Sequence, residues 1–241
     1  MKGEFRRGHS GEQLRLVFPN GWGGRRQGAG RKRAAERGRV PHRRRAEHRA
    51  SEPVHVTLRM TIRSLRSQFV FPTVAGVIRD ANRAQEARFR IVEFSVQADH
   101  VHLLVEADDK AALQTGMRSF SARLARRVNR LLFRRGPLVA DRWHGRALTS
   151  PRAVRQALVY VLANHKKHEP ASAKTLDAYS SAPYFTSFAE FPGRRPCAAL
   201  PNLVPPALRL RAPPTAPATS WLLRVGWLRH GSISIAEAPR T

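Results

Sequence analysis

The chain has 241 residues and a formal net charge of +27, carried by 38 Arg and only six Lys against 17 acids. That length suits one ordinary domain, or one domain with long appendages. Charge so far from neutral fits a polyanionic partner, and the planar Arg fork donates two hydrogen bonds at once to a phosphate. The single cysteine, Cys197, excludes an internal disulfide framework and a Cys-based zinc site. No apolar run approaches the ~18–20 residues of a membrane span and no signal-peptide core opens the chain, so a soluble protein of the cytoplasm, associated with the nucleoid, is expected.

Residues 1–50 hold 15 Lys and Arg and four acids, with few apolar residues outside Leu14–Phe18. Such a segment cannot bury enough surface to offset its chain entropy and is expected to be disordered when free. Its stretch GGRRQGAGRK places Arg25, Arg26, Arg31 and Lys32 as DNA contacts, either inserted in a narrow minor groove or acting as an electrostatic tether.

Residues 53–191 carry the periodicity of a folded domain. Val54, Val56, Leu58 and Met60 alternate with His55, Thr57 and Arg59, the pattern of a half-buried strand. Pro72 opens a helix with Val74, Val77, Ile78 and Ala81 at helical spacing. Phe89 to Gln97 and His100 to Glu106 read as two strands across a short break. Asp109 caps a long helix to about Phe133, striped by Leu113, Met117, Phe120, Leu124, Val128 and Leu131. Beside that stripe run Arg118, Arg123, Arg126, Arg127 and Arg130, either a solvated face or a phosphate-tracking one. A short strand near Arg146–Thr149 follows, and Ser150–Pro151 starts a last helix to about His168. The order β-α-β-β-α-β-α predicts an α+β fold, an antiparallel sheet with helices packed on it. Residues 192–220 read as a Pro/Arg-rich linker. Residues 221–241 read as a short helix and tail, with Trp221, Leu222, Leu223, Val225, Trp227 and Leu228 needing a surface to pack against.

The most informative string is Asp99-His100-Val101-His102-Leu103-Leu104-Val105-Glu106. On a strand His100 and His102 share a face, about 6.5–7 Å apart, while Val101, Leu103 and Val105 point into a core. Two such imidazoles are either two legs of a metal site or two polar residues on a solvated face. Glu106 shares that face and reads as a solvated rim residue; His55 and His144 are further candidate neighbours. In the last helix Tyr160 and Asn164 are four apart and share a face. Tyr160 is either a nucleophile or a tyrosine packed between helix and sheet with a wet hydroxyl. After Asn164 come His165, Lys166, Lys167 and His168, placed as a DNA grip beside the site or as a helix cap favoured by the dipole.

His100-Val101-His102 followed by Tyr160-x-x-x-Asn164 resembles the HUH single-tyrosine transposases of small insertion sequences, most of all their REP-associated relatives. The phrases VEFSVQADHVHLLVEA and VRQALVYVLANHKKH carry the likeness, which spans roughly residues 53–170. Many relatives have Pro after the Asn, where this chain has His165. The resemblance implies a ferredoxin-like or RRM-like HUH nuclease fold whose central strand bears the histidines. It implies that Tyr160 attacks a phosphodiester of single-stranded, hairpin-bearing DNA, leaving a 5′-phosphotyrosine link and a free 3′-OH. It implies that His100, His102 and Asn164 hold one Mg²⁺ or Mn²⁺ ion. DNA is then the partner, no membrane is expected, and a homodimer stays open. The competing expectation is a domesticated or inactive DNA-binding protein of the same lineage.

Overall fold

The computed structural model describes residues 47–84, 88–167, 176–200, 202, 204 and 212–239. Arg25, Arg26, Arg31 and Lys32 lie outside the described residues. Seven principal elements follow in order: β1 (Val54–Arg59), α1 (Phe71–Ala84), β2 (Phe89–Val96), β3 (His100–Ala107), α2 (Lys110–Leu131), β4 (His144–Ala147) and α3 (Pro151–Ala163). The strands form one four-stranded sheet in the order β2-β3-β1-β4, with every neighbouring pair antiparallel. That order, with α1 and α2 as the crossovers, is the split βαβ arrangement of ferredoxin-like folds. Among the described residues no helix is long and apolar enough to cross a membrane.

Alternation along the strands divides the chemistry between two faces. Val54, Val56, Leu58, Val101, Leu103 and Val105 turn to one side and bury against α1 and α2. Phe120, Leu124 and Val128 on α2 are fully buried there, each worth about 1.5–3 kcal/mol relative to exposure. The opposite face carries His55, Thr57, His102 and Leu104 and is covered by α3. Val154, Leu158, Val161 and Leu162 of α3 build a second apolar cluster on that side. Between Ile91 and Glu93 the β2–β3 register shifts, a β-bulge that brings Val92 into this second cluster.

Local chemistry explains the boundaries. The Asp109 carboxylate accepts from Ala112 N at 2.7 Å and opens α2. Ser150 Oγ accepts from Ala153 N at 3.2 Å and opens α3, with Pro151 at its first position. α3 ends at Ala163, and Asn164–Lys167 form a 3₁₀ turn rather than further α-helix. β4 begins two residues before the expected strand because pairing, not composition, defines it: His144 sits opposite Thr57 and Arg146 opposite His55. Gly116 lets α2 press on β2, since a Cβ there would lie 2.2 Å from Cγ of Phe89. Gly116→Ala is therefore expected to cost about 1–3 kcal/mol through overpacking. A urea titration reads it; an unchanged midpoint would mean that α2 can lift without cost.

Two sequence-based expectations need correction. Residues 212–220 are no loose linker: Arg79 donates to Ala212 O, Asn82 Nδ2 to Pro214 O, and Ala216 N to Ile91 O. Glu106 is no solvated rim residue. It is 1% exposed, and its carboxylate accepts from Thr219 N, Thr219 Oγ1 and Ser220 N at 2.8–2.9 Å, with Arg90 at 3.3 Å. Burial would raise its pKa, yet the hydrogen bonds from Ser220 and Thr219 outweigh burial and hold it below the usual range. A buried carboxylate needs such partners, and they come from a segment more than a hundred residues away. Beyond it the helical turn Trp221–Arg224 and the 3₁₀ turn Gly226–His230 bury Leu223 and Trp227 against α3, while Trp221, Val225 and Leu228 stay exposed.

Candidate active site

The site forms where the polar face of the sheet meets the C-terminal half of α3. Register aligns Ser95, His102, Thr57 and His144 in one row across all four strands, with Arg59 opposite His100 at the sheet end. The rings of His100 and His102 stand 4.7 Å apart, centroid to centroid, at 85°. Each imidazole is held through Nδ1. His100 Nδ1 donates to Asp99 Oδ1 at 2.7 Å, while His102 Nδ1 lies 3.2 Å from Thr57 Oγ1 and 3.3 Å from His55 Nε2. Such anchoring fixes the orientation of both rings, as carboxylates and hydroxyls orient histidines in metal sites.

Tyr160 reaches this row from α3. Its ring meets His102 edge-on at 5.0 Å and lies 5.5 Å from the ring of His55, with Lys167 Nζ 4.8 Å from its centroid. Partial burial raises the phenol above its ordinary pKa, so it is fully protonated at neutral pH. His55 moves the other way. Burial first, then the nearby His144 and Arg146, lower its pKa to about 4, which keeps the imidazole neutral. Asn164, one turn beyond Tyr160, is 1% exposed. Neither its amide oxygen nor its amide nitrogen has a hydrogen-bond partner among the described residues. An orphaned buried carboxamide costs stability unless something else satisfies it.

Two anchored imidazoles and an unpartnered carboxamide are donor types that a divalent ion accepts. Among the described residues no group of three or more His, Cys, Asp and Glu side chains is arranged to hold a metal ion. The sequence pattern brings His100, His102 and Tyr160 to one place, and His55 joins them as a neighbour. Thr57 and Asp99, which hold the histidines, carry no signal of their own. The alternation of β1 puts Thr57 beside His55, but only strand register puts it beside His102.

The proposed DNA contacts divide. Lys167 stands at Tyr160. Lys166 does not reach out beside it: it is buried, and its ammonium donates to the carbonyls of Ile235 and Glu237, fastening the tail to the end of α3. His165 is also buried, with Nδ1 4.0 Å from Asp177. On α2, Arg123 donates to Asp80 O and Arg127 pairs with the Asp80 carboxylate at 2.6 Å, so both knit α2 to α1. Arg126 and Arg130 are exposed. All four sit on the helix that covers the far face of the sheet, away from Tyr160.

Residues 55–143 match the profile of the family described as IS200-like transposases. The matched range contains both histidines of the His100–His102 pair and ends before α3. No curated protein matches the chain. Among solved structures, a REP-associated tyrosine transposase bound to a REP hairpin is 14% identical with a TM-score of 0.46, covering 59% of this chain and 82% of its own. A candidate transposase from Deinococcus radiodurans is 17% identical with a TM-score of 0.34, covering 47% of this chain and 84% of its own.

Proposed function

We infer that this chain, whose residues 55–143 match the IS200-like transposase profile, is a transposase that nicks and rejoins single-stranded, hairpin-bearing DNA through a covalent Tyr160 intermediate. The observation that carries this reading is the convergence of Tyr160 on the anchored His100–His102 pair. In the step inferred, Tyr160 Oη attacks phosphorus, the Oη–P bond forms and the P–O3′ bond breaks. The phenolic proton is balanced by the one gained at the departing 3′-OH. Because a phosphodiester is exchanged for a phosphodiester, the 3′-OH can later reverse the reaction and rejoin strands.

His100 and His102 would hold a divalent cation through Nε2, with the Asn164 amide oxygen completing the set. The chemistry supplied there by Mg²⁺ or Mn²⁺ is Lewis-acid polarisation of a phosphoryl oxygen. The chain's own groups do the rest. Asp99 and Thr57 orient the two imidazoles, and His55, kept neutral, leaves cationic charge to the ligand site and to Lys167. Lys167 favours an anionic strand beside the phenol. The arm residues Arg25, Arg26, Arg31 and Lys32, with exposed Arg126 and Arg130, are proposed to hold DNA away from the cut. This work would be done on DNA in the cytoplasm.

The test is incubation of the full chain with an end-labelled hairpin-bearing single strand and Mg²⁺ or Mn²⁺. A labelled protein band that survives denaturation supports the reading; tight binding without it supports an inactive DNA-binding relative. The double variant His100→Ala/His102→Ala is expected to lose cleavage by at least about a hundredfold, the scale of an electrostatic contribution to the transition state. Hairpin affinity should change by less than about threefold, since most affinity comes from phosphate contacts elsewhere. Cleavage that survives the double change, or survives EDTA, would remove the metal from the reading.

A further inference from the structure

Beside Tyr160 a cleft of about 560 Å³ opens between the first turns of α3 and strand β4. His55, Arg146, Leu148, Arg152, Gln156 and Tyr160 line it. Arg152, Gln156 and Tyr160 are spaced by four, so they form one ridge of the helix. Arg146 reaches the same cleft from β4, where it sits opposite His55. The volume lies within the range of small-ligand sites, and Leu148 is buried at the wall.

The guanidinium groups around this cleft are of two kinds. Arg155 is committed: its two terminal nitrogens donate to the Glu237 carboxylate at 2.7 and 2.8 Å, and it also bonds the carbonyls of Gly231 and Ser232. Arg146 and Arg152 are exposed, and neither has an ion pair or hydrogen bond among the described residues. Two unspent forks beside an apolar wall suit an anionic ligand with a flat, partly apolar body. A nucleotide is such a ligand.

We propose that this cleft is a nucleotide subsite, in which Arg146 and Arg152 grip the backbone phosphate next to the cut and Gln156 reads the base seated against Leu148. A carboxamide offers a donor and an acceptor side by side, which is how Gln discriminates bases elsewhere. Arg matches the phosphate because its fork is planar and permanently charged. The proposal rests on the reading of Tyr160 as the nucleophile, since it places the seated nucleotide one step from the attacked phosphorus. Gln156 and the two arginines are positioning and specificity residues; none is asked to do chemistry.

Binding and cleavage test it separately. Fluorescent oligothymidylate, oligoadenylate and oligocytidylate are titrated against the full chain, the Arg146→Ala/Arg152→Ala double variant and Gln156→Ala, all confirmed as folded by circular dichroism. The same proteins then act on a hairpin-bearing strand randomised at the bases flanking the cut. The double variant is expected to weaken binding to all three homopolymers by about tenfold or more, because phosphate contacts carry no sequence information. Gln156→Ala is expected to hold mean affinity within about twofold while flattening base preference at one flanking position. Unchanged homopolymer affinity in the double variant overturns the subsite, as does an unchanged base profile in Gln156→Ala. If the parent chain forms no adduct at all, the nuclease reading fails instead, and the homopolymer titrations still decide whether the cleft binds nucleotides.

Discussion

Tyr160→Phe is expected to fold as the parent does, bind single-stranded DNA with unchanged affinity, and form no covalent adduct. The phenol oxygen makes no hydrogen bond among the described residues, and the ring keeps its edge contact with His102 and its place under Lys167. Removing one partly solvated hydroxyl should therefore change stability by no more than about 0.5 kcal/mol. The chemical effect is of another order, because the only atom able to form the Oη–P bond is gone. Burial has raised the phenol's pKa, so the group gains reactivity from its surroundings during attack rather than from being ionised beforehand. Tyr179→Phe and Tyr184→Phe serve as controls. Tyr179 packs edge-on to Phe71 beneath Arg66, and burial pushes the Tyr184 phenol up to about 12. Both variants should still yield adduct on a denaturing gel. Persistent adduct in Tyr160→Phe would move the nucleophile to another residue and leave the His100–His102 pair without its partner.

Period-2 alternation and helical spacing place β1, α1, β2, β3, α2 and α3 in the sequence, because each buries one face and the buried positions repeat. The His100–His102 pair and its distance from Tyr160 are visible for the same reason: both motifs are local, and a strand and a helix present i, i+2 and i, i+4 on one side. What the sequence hides is whatever depends on two distant segments meeting. Thr57 and His55 reach His102 through strand register. Glu106 owes its burial to Thr219 and Ser220. Lys166 looks like a DNA contact in a run of His and Lys, yet the tail carbonyls claim its ammonium. The basic stripe of α2 is legible, but which face of the sheet α2 covers follows from the crossover that packs it beside α1. Charge runs locate basic residues along the chain and leave their partners unassigned, so Arg123 and Arg127 emerge as struts to Asp80.

Glu93 is the clearest such case and carries the largest pH effect. Nothing in the string VEFSV marks it as buried. The β-bulge at Val92 and the cover of α3 bury it on the active face, opposite Leu104 in the ladder. Burial raises its pKa to about 8 from the ordinary 4.5, with a Ser181 hydrogen bond only partly offsetting the rise. In the unfolded chain the carboxyl ionises near 4.5; in the folded chain it keeps its proton until about 8. Between those values the folded state binds more protons, so stability falls as pH rises. Below pH 4.5 the group costs nothing through ionisation, and above pH 8 the full cost is present, as an order of magnitude about 3–5 kcal/mol. Glu93→Gln keeps the shape and a polar end but cannot ionise. The variant should match or fall slightly below the parent under pH 4.5, because its amide adds a second buried donor, and should exceed it increasingly up to pH 8. Urea midpoints of the two proteins, measured across that range, isolate the effect, since every other titrating group is common to both. Curves that stay parallel would mean that Glu93 is ionised in the folded protein, and that a cation or solvent reaches it behind α3.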